Sequence, residues 1–229
     1  MQDIRRKIVP IAGDLIVDKL GLSQADRAMV TAETNIIINC AASVSFTDPL
    51  LDAIEINYNG CGRMLALAKE CQRIECFTHV STAYVNCNLP TKSVIEEKVY
   101  DLPGNQDPEE IIKNIVRMGP QQVKEQETQI LGTYPNTYTF TKSLAERMIK
   151  KNRGNLRVAL VRPSIVTGCY EDPFRGWTDS IAAAGFQTMM CINGLLHFIR
   201  TNEDTVLDVV PCDFVSNQIL VQTAFAAKL

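Results

Sequence analysis

Short apolar segments that alternate with helical patterns constrain the fold of this chain more than any other feature. The clearest are residues 35–39, which read Asn-Ile-Ile-Ile-Asn, and residues 156–162. Apolar runs of this length are typical of parallel strands that are buried on both faces. Further short strands are predicted at residues 7–12, 73–80 and 206–210. Strands that alternate with helices predict an α/β fold with a doubly wound parallel sheet.

The segments between the predicted strands have apolar residues at helical spacing. Ser23 is the predicted N-cap of a helix over residues 25–32, and Thr137 is the predicted N-cap of a helix that continues through Met148. Residues 49–70 and 212–227 predict longer helices, and residues 108–118 predict a short amphipathic one.

Composition narrows the classes of function. A length of 229 residues suits one domain of ordinary size with a sizeable core. The 23 basic and 26 acidic residues give a net charge of −3 without a basic stripe, so nucleic acid is not an expected partner. The eight cysteines form no C-x-x-C pair and the chain has only two histidines, so no metal site is predicted. Free thiols indicate a reducing, intracellular compartment.

Tyr138 and Lys142 carry the most specific chemistry in the sequence. They are four residues apart on a predicted helix, so both side chains project from the same face. A free tyrosine has a pKa near ~10, which makes it a poor acid–base group at neutral pH. An ammonium group one turn away is expected to lower this pKa toward the working range. In isolation the pair is more often a surface aromatic and a solvated charge, so its weight depends on other motifs.

Small or polar residues follow several of the predicted strands. In open α/β sheets, ligands bind at the carboxyl ends of the strands. These positions are therefore the candidate ligand contacts, against the plain alternative of turn and packing residues. The residues that follow four of the five predicted strands are Asp14 and Leu15; Cys40, Ala41 and Ala42; Ser81 and Thr82; and Pro163, Ser164 and Ile165.

Together with these motifs, the chain resembles the extended short-chain dehydrogenase/reductase superfamily and, within it, the alcohol-forming fatty acyl-CoA reductases. The resemblance extends from about Gly13 to Asn217, with the motifs in the family's order. The matching segments are residues 13–15, 39–46, 57–60, 80–86, the Tyr138/Lys142 helix, 161–166 and 176–177.

The resemblance implies reduction of a long-chain fatty acyl-CoA to a primary alcohol with NADPH, through an aldehyde. It implies catalytic roles for Tyr138, Lys142 and a strand-end hydroxyl, where Thr82 fits better than Ser81 but both stay open. It also implies cofactor contacts, with Asp14 and Leu15 at the adenine. The remaining implied contacts are Cys40, Ala41, Ala42, Asn57, Pro163, Ser164 and Ile165.

The sequence departs from the superfamily at its beginning. It contains no G-x-x-G-x-x-G turn, which in these proteins opens the helix that holds the cofactor diphosphate. We therefore expect a chain truncated at its N-terminus, which lacks the first βαβ unit and starts before the strand that comes third. A C-terminal helical domain and membrane anchor are likewise expected outside this chain.

Two units are expected, a partial NAD(P)-binding domain over residues 1–170 and substrate-lobe elements over residues 171–229 packed on the same domain. Residues 180–199 contain no charged residue. Their polar residues and glycines favour a helix that lines an acyl-chain site over a membrane span. We expect a cytosol-facing protein, and leave open a peroxisomal or endoplasmic reticulum membrane association of a full-length protein through its C-terminal part.

Two rival hypotheses stay open at this stage. One is a catalytically inactive nucleotide-binding or scaffold remnant of a truncated reductase, which the absent glycine-rich turn favours. The other is an extended short-chain reductase acting on another carbonyl substrate, such as a sugar nucleotide or a small aldehyde. The sequence leaves open the acyl chain length, the choice between NADPH and NADH, and the oligomeric state.

Overall fold

A computed structural model describes residues 4–180, 184–202 and 204–228. The helices are α1 (Gln24–Glu33), α2 (Leu50–Ala53), α3 (Gly60–Glu70), α4 (Pro108–Leu131), α5 (Thr137–Asn152), α6 (Ala184–Ile192) and α7 (Cys212–Lys228). The strands are β1 (Ile36–Asn39), β2 (Cys76–Val80), β3 (Val158–Val161), β4 (Ile165–Thr167) and β5 (Val209–Pro211). A π-helical turn, Ile54–Asn59, joins α2 to α3 without a break in the helix.

Two parallel sheets confirm the α/β class. The first has the order β1-β2-β3, with Ile37 opposite Phe77 and Phe77 opposite Val158. The second sheet pairs β4 with β5. The strand expected at residues 206–210 is therefore present, but it covers only Val209–Pro211. Since the three strands of the first sheet run the same way, their carboxyl ends meet at one edge, where residues 40–42, 81–82 and 162–164 follow.

The main core lies on one face of the three-stranded sheet. There α3 and α5 pack over the strands, and the fully buried Ile54, Phe77 and Leu144 belong to one apolar cluster. Helix α7 packs on the other face against β2 and β3, where the hydroxyls of Thr78 and Thr223 are 2.7 Å apart. Successive strand residues point to opposite faces. Phe77 therefore faces the core under α3 and α5, whereas Thr78 faces α7.

β1 is buried on one face only, which corrects the prediction of a strand buried on both. Ile37 and Asn39 are buried, whereas Ile36 and Ile38 keep 42% and 40% of their surface exposed. The exposed side chains lie on the α7 side of the sheet, and α7 packs on β2 and β3. An apolar run therefore located the strand but did not reveal which of its faces is covered.

The strand predicted at residues 7–12 is absent from the described structure. Residues 8–12 have no regular secondary structure, and Ile8 and Val9 are 65% and 68% exposed. A strand requires a neighbour for its backbone hydrogen bonds. In the doubly wound order 3-2-1-4, two strands separate this segment from β1, and residues 4–34 form neither of them.

Helix α1 confirms its predicted cap, since the Ser23 hydroxyl accepts a hydrogen bond from the Asp26 N–H at 3.1 Å. Helix α4 is longer than the predicted segment 108–118 and is kinked where Gly119, with φ of 74°, precedes Pro120. The helix expected within residues 180–199 is shorter than this range and corresponds to α6, because a turn at Gly194 follows it. Residues 181–183 lie outside the described part. Across the described ranges, every helix is too short or too polar to cross a bilayer.

Asp213, in the first turn of α7, holds the loop that leads into the last part of the chain. Its carboxylate accepts hydrogen bonds from the backbone N–H groups of Tyr170, Glu171 and Asp172 at 2.9, 3.0 and 3.2 Å. These bonds favour the ionised form and lower the pKa of Asp213 from 3.8 to about 2. The same loop contains Trp177, the only tryptophan of the chain, which therefore reports on it.

We expect the fluorescence of Trp177 to show an acid transition that depends on Asp213. The folded-state pKa is depressed, so its stabilising effect is complete above about pH 4 and is lost as the pH falls toward 2. Emission should therefore change across this window in the wild type, and Asp213→Asn should show the low-pH emission already at neutral pH. Asp179→Asn is the matched control. Identical titrations of the wild type and Asp213→Asn would contradict this account.

Candidate active site

Helix α5 presents the tyrosine–lysine pair, but its cap is one residue earlier than predicted. The Asn136 side chain accepts a hydrogen bond from the Thr139 N–H at 2.8 Å and is the N-cap. Thr137 is the first helical residue, and its hydroxyl donates to the Asp48 carbonyl oxygen at 3.1 Å. Both side chains can cap a helix, but the Thr137 hydroxyl is already bonded to the Asp48 carbonyl oxygen, so Asn136 forms the cap.

Lys142 is buried at the base of the site. Only 3% of its surface is exposed, and its Nζ donates to the Val80 carbonyl oxygen at 2.8 Å. Burial lowers the pKa of Lys142, while the nearby Cys61, Cys40 and Glu146 oppose this effect. The ammonium is thus anchored at the end of β2, one helical turn from Tyr138.

Tyr138 has a pKa that is raised, because burial disfavours the phenolate, and a hydrogen bond with the Thr82 hydroxyl opposes this only in part. The predicted lowering of this pKa by Lys142 is therefore not what the structure shows. The ammonium is directed to the Val80 carbonyl instead. A raised pKa keeps Tyr138 protonated at neutral pH, as a hydrogen-bond and proton donor must be.

Thr82 and Ser81 follow β2 and are both buried, with 4% and 3% of their surfaces exposed. The Thr82 hydroxyl lies close enough to the Tyr138 phenol to lower its pKa in part, and it accepts a hydrogen bond from the Tyr84 N–H at 3.3 Å. The Ser81 hydroxyl has no hydrogen-bond partner among the described residues. The structure thus places Thr82 beside Tyr138, while the catalytic role of either hydroxyl stays a prediction.

Asn57, in the π-helical turn, links three elements at the site. Its Oδ1 accepts from the Ser43 N–H at 2.9 Å, and its Nδ2 donates to the Ser43 carbonyl and the Thr141 hydroxyl, each at 3.2 Å. Its side chain is 2% exposed. Asn57 therefore fixes the loop after β1 to helix α5. The sequence predicted only a cofactor contact for Asn57 and did not predict this positioning role.

Asp14 and Leu15 lie against the start of α3. The Asp14 carboxylate accepts from the Ile16 N–H at 3.0 Å, as in an ordinary turn. The Leu15 carbonyl accepts from Arg63 at 2.7 Å, and a Cβ at Gly60 would come within 3.0 Å of the Leu15 side chain. Gly60 is thus needed for close packing, and the adenine contact of Asp14 and Leu15 stays a prediction.

The other predicted cofactor contacts follow β1 and β3. Cys40 and Ala41 are exposed and Ala42 is half-buried at the end of β1. The Pro163 carbonyl accepts from the Ala83 N–H at 2.9 Å, and Pro163 and Ser164 line a cavity of about 750 Å³. This cavity extends along β3 toward α7 rather than to Tyr138. Ile165 begins β4, so these residues form a strand-to-strand corner.

A buried polar cluster lies behind Lys142. Asn39 Nδ2 and His79 Nδ1 are 3.2 Å apart, and Cys61 Sγ is 3.6 Å from the same ring nitrogen. Burial lowers the pKa of His79 to about 3 and raises the pKa of Cys61 to about 12. Both groups are therefore neutral at physiological pH. Across the described ranges, no three histidine, cysteine or acidic side chains are grouped so as to hold a metal ion.

Glu146, one turn after Lys142 on α5, is paired with Arg162. The guanidinium donates to the carboxylate at 2.8 and 2.6 Å, and the two side chains are 1% and 18% exposed. The Arg162 guanidinium also donates to the Lys98 carbonyl oxygen at 2.9 Å. The pair fixes α5 to the end of β3, so it helps to set the position of Tyr138 and Lys142 on this helix.

Arg162→Ala is expected to lower the free energy of unfolding by about 3–5 kcal/mol, because Glu146 would be left as a buried, unpaired charge. Lys113→Ala breaks an exposed ion pair with Glu110 and should cost only about 0–1 kcal/mol. Urea unfolding of the two variants compares the effects. Similar losses for both would show that the buried pair does not hold α5 in place.

The sequence prediction assigned no role to Asn136, Ser43 or Phe46, all of which contribute to the site. The ring of Phe46 lies 5.7 Å from the ring of Tyr138, although Phe46 is 62% exposed. The run Ser43-Val44-Ser45-Phe46 was visible as a motif. A pattern within one loop does not reveal contact with a distant helix.

Comparison with known proteins identifies the family. The family model of NAD-binding domains described as "Male sterility protein" matches residues 1–219. The chain belongs to the male sterility protein family. This match, with the curated relative described next, confirms the resemblance to fatty acyl-CoA reductases on which the site residues were chosen.

A curated member, fatty acyl-CoA reductase 1 of Pongo abelii, is 37% identical over 218 residues. The alignment covers 95% of this chain and 41% of that protein, so the chain spans less than half the length of its relative.

Two solved structures share the fold of this chain. The crystal structure of the terminal R domain from the myxalamid PKS-NRPS biosynthetic pathway has a TM-score of 0.68 and 25% identity, and covers 95% of this chain and 46% of that one. RMD from Pseudomonas aeruginosa, solved with NADPH, has a TM-score of 0.55 and 19% identity, and covers 94% and 62%. The second likeness concerns the fold alone, and both agree with a doubly wound parallel sheet.

Proposed function

We propose that this chain contains the catalytic group of an NADPH-dependent reductase that converts long-chain fatty acyl-CoA to primary fatty alcohol. One observation carries the proposal. In a member of the male sterility protein family, a buried ammonium group lies one helical turn from a protonated tyrosine, and that tyrosine meets a buried threonine hydroxyl. The curated relatives named fatty acyl-CoA reductase supply the reaction and the substrate class.

Lys142 supports the binding of a nicotinamide cofactor. An ammonium group has three N–H donors. Among the described residues, one of them bonds the Val80 carbonyl, which leaves two for the hydroxyls of a ribose. The small Cys40, Ala41 and Ala42 leave room for the ligand against the end of β1. These residues suit the nicotinamide half of the cofactor, whereas residues 1–229 contain no glycine-rich turn for its diphosphate.

The chemistry that NADPH supplies when bound is hydride transfer. Tyr138 and Thr82 hold the thioester carbonyl oxygen by two hydrogen bonds, which stabilise the negative charge that develops there. Tyr138 donates its proton to the oxygen as the aldehyde formed after loss of CoA is reduced to the alcohol. Lys142 holds the ribose and keeps the reacting groups aligned. Ser81, whose hydroxyl has no hydrogen-bond partner among the described residues, is left out of this scheme.

The eight unpaired thiols support a reducing compartment, and we propose an intracellular, cytosol-facing location. We also propose that residues 171–229 contribute the substrate side of the same domain as residues 1–170. Contacts of α7 with β2 and β3 support this arrangement.

The proposal is tested with the intact gene product that contains residues 1–229. NADPH oxidation is measured with hexadecanoyl-CoA, a nucleotide sugar and a small aldehyde, each at equal concentration. We expect turnover with the acyl-CoA and release of free CoA. NADPH oxidation only with the nucleotide sugar or the small aldehyde would contradict the proposed substrate, and binding of NADPH without turnover of any substrate would indicate an inactive nucleotide-binding module.

A further inference from the structure

The loop between β1 and α2, residues 40–49, has more internal structure than a plain connection. The Ser45 N–H donates to the Ser43 hydroxyl, and the Thr47 N–H donates to the Ser45 hydroxyl, each at 3.3 Å. The Ser43 hydroxyl donates to the Asp48 carboxylate at 2.5 Å. A chain of side-chain turns therefore shapes this segment from within.

Two anchors attach this loop to the catalytic helix. At its beginning, Asn57 binds both backbone groups of Ser43 and also binds Thr141 of α5. At its end, the Asp48 carbonyl accepts from Thr137, the first residue of α5. The loop is thus fixed at both ends to the helix that carries Tyr138 and Lys142.

The fixed loop presents an apolar ring to solvent. Phe46 keeps 62% of its surface exposed, and its ring is tilted by 40° against that of Tyr138 at a centroid distance of 5.7 Å. An exposed aromatic side chain forfeits the stabilisation that its burial would give. A single exposed apolar side chain is ordinary, but this one is held next to the catalytic phenol by a built loop.

Its position indicates which part of the substrate it meets. Lys142, which would hold the ribose, is one turn deeper along α5 and is 3% exposed, whereas Tyr138 is half-buried. The ring of Phe46 continues this series from the core to the solvent. If Tyr138 holds the thioester carbonyl, the first methylene groups of the acyl chain are next to that carbonyl and within reach of a ring that lies 5.7 Å from the phenol ring.

We infer that Phe46 is a specificity-determining residue, whose ring binds the methylene groups of the acyl chain next to the carbonyl held by Tyr138. This inference rests on the proposed function and names a contact within it. It requires no contact between Phe46 and the cofactor. Loss of the ring should therefore weaken acyl-chain binding and leave NADPH binding unchanged.

The test compares Phe46→Ala and Phe46→Leu with Val44→Ala, a control on the same loop whose side chain is 68% exposed. For the intact gene product, we expect Phe46→Ala to raise the KM for hexadecanoyl-CoA about tenfold, in keeping with the loss of one aromatic contact. The KM for NADPH should stay within about twofold, as should kcat. Phe46→Leu should recover most of the loss, and Val44→Ala should match the wild type.

Binding without turnover separates this inference from the proposed function. Calorimetry with S-hexadecyl-CoA, a thioether that cannot be reduced, should show about tenfold weaker binding for Phe46→Ala than for Val44→Ala. This result supports the contact even if no acyl-CoA is turned over. Absence of turnover would contradict the proposed function but not the contact. Equal affinities of the two variants, absence of binding by the wild type, or a raised KM for NADPH in Phe46→Ala would overturn the inference.

Discussion

Tyr138→Phe is expected to reduce turnover by about 10³–10⁴-fold while the fold and NADPH binding persist. The substitution removes only the phenolic oxygen, and general acid–base groups typically contribute about 10²–10⁴-fold. The upper part of this range applies because the same hydroxyl also stabilises charge on the substrate oxygen. Steady-state NADPH oxidation with a long-chain acyl-CoA measures the effect.

Tyr134→Phe is the matched control for this experiment. It removes the hydroxyl from a tyrosine that lies just before α5, where this hydroxyl is 2.6 Å from the Ser143 hydroxyl. The control should cost about 1 kcal/mol of stability and leave turnover nearly unchanged. Wild-type turnover in Tyr138→Phe would show that this phenol is a structural aromatic without a chemical role.

Lys142→Met is expected to raise the KM for NADPH about 10- to 100-fold and to lower kcat. The missing charge removes charge-assisted hydrogen bonds to the ribose, each worth about 1.5–3 kcal/mol. Methionine retains an unbranched side chain, and burial already disfavours the ammonium, as its lowered pKa shows. The urea midpoint should therefore not fall, which separates a binding defect from unfolding.

Lys150→Met removes a charge from the same helix and serves as the control. Lys150 is 51% exposed and pairs with Asp101 at the surface, so its loss should leave both kinetic constants near the wild type. An unchanged KM for NADPH in Lys142→Met would contradict the assignment of the ribose to this ammonium. It would leave Lys142 as an anchor between α5 and the Val80 carbonyl.

The sequence predicted those features that depend on local pattern. The apolar run around Ile37 located a strand, Ser23 located a helix start, and the four-residue spacing placed Tyr138 and Lys142 on one face. Local pattern also predicted a strand at residues 7–12 that the structure lacks. A strand depends on a partner that may lie anywhere in the chain, so local composition alone does not decide its formation.

Tertiary contacts decided the rest of the site. Thr137 had the chemistry of an N-cap, but its hydroxyl is taken by Asp48, and Asn136 caps the helix. The pKa of Tyr138 depends on burial and on Thr82 more than on its spacing from Lys142. Phe46 meets Tyr138 only because Asn57 and Thr137 fix its loop to α5. None of these contacts has a signal within a single segment of the sequence.

The stoichiometry of NADPH consumption tests the central claim most directly. Long-chain acyl-CoA, NADPH and the intact gene product are incubated, and oxidised cofactor, free CoA and lipid product are measured in the same sample. Reduction of a thioester to an alcohol at one site predicts two NADPH oxidised for each CoA released, with fatty alcohol as the product. One NADPH for each CoA, with aldehyde as the final product, or NADPH oxidation without release of CoA, would contradict the account.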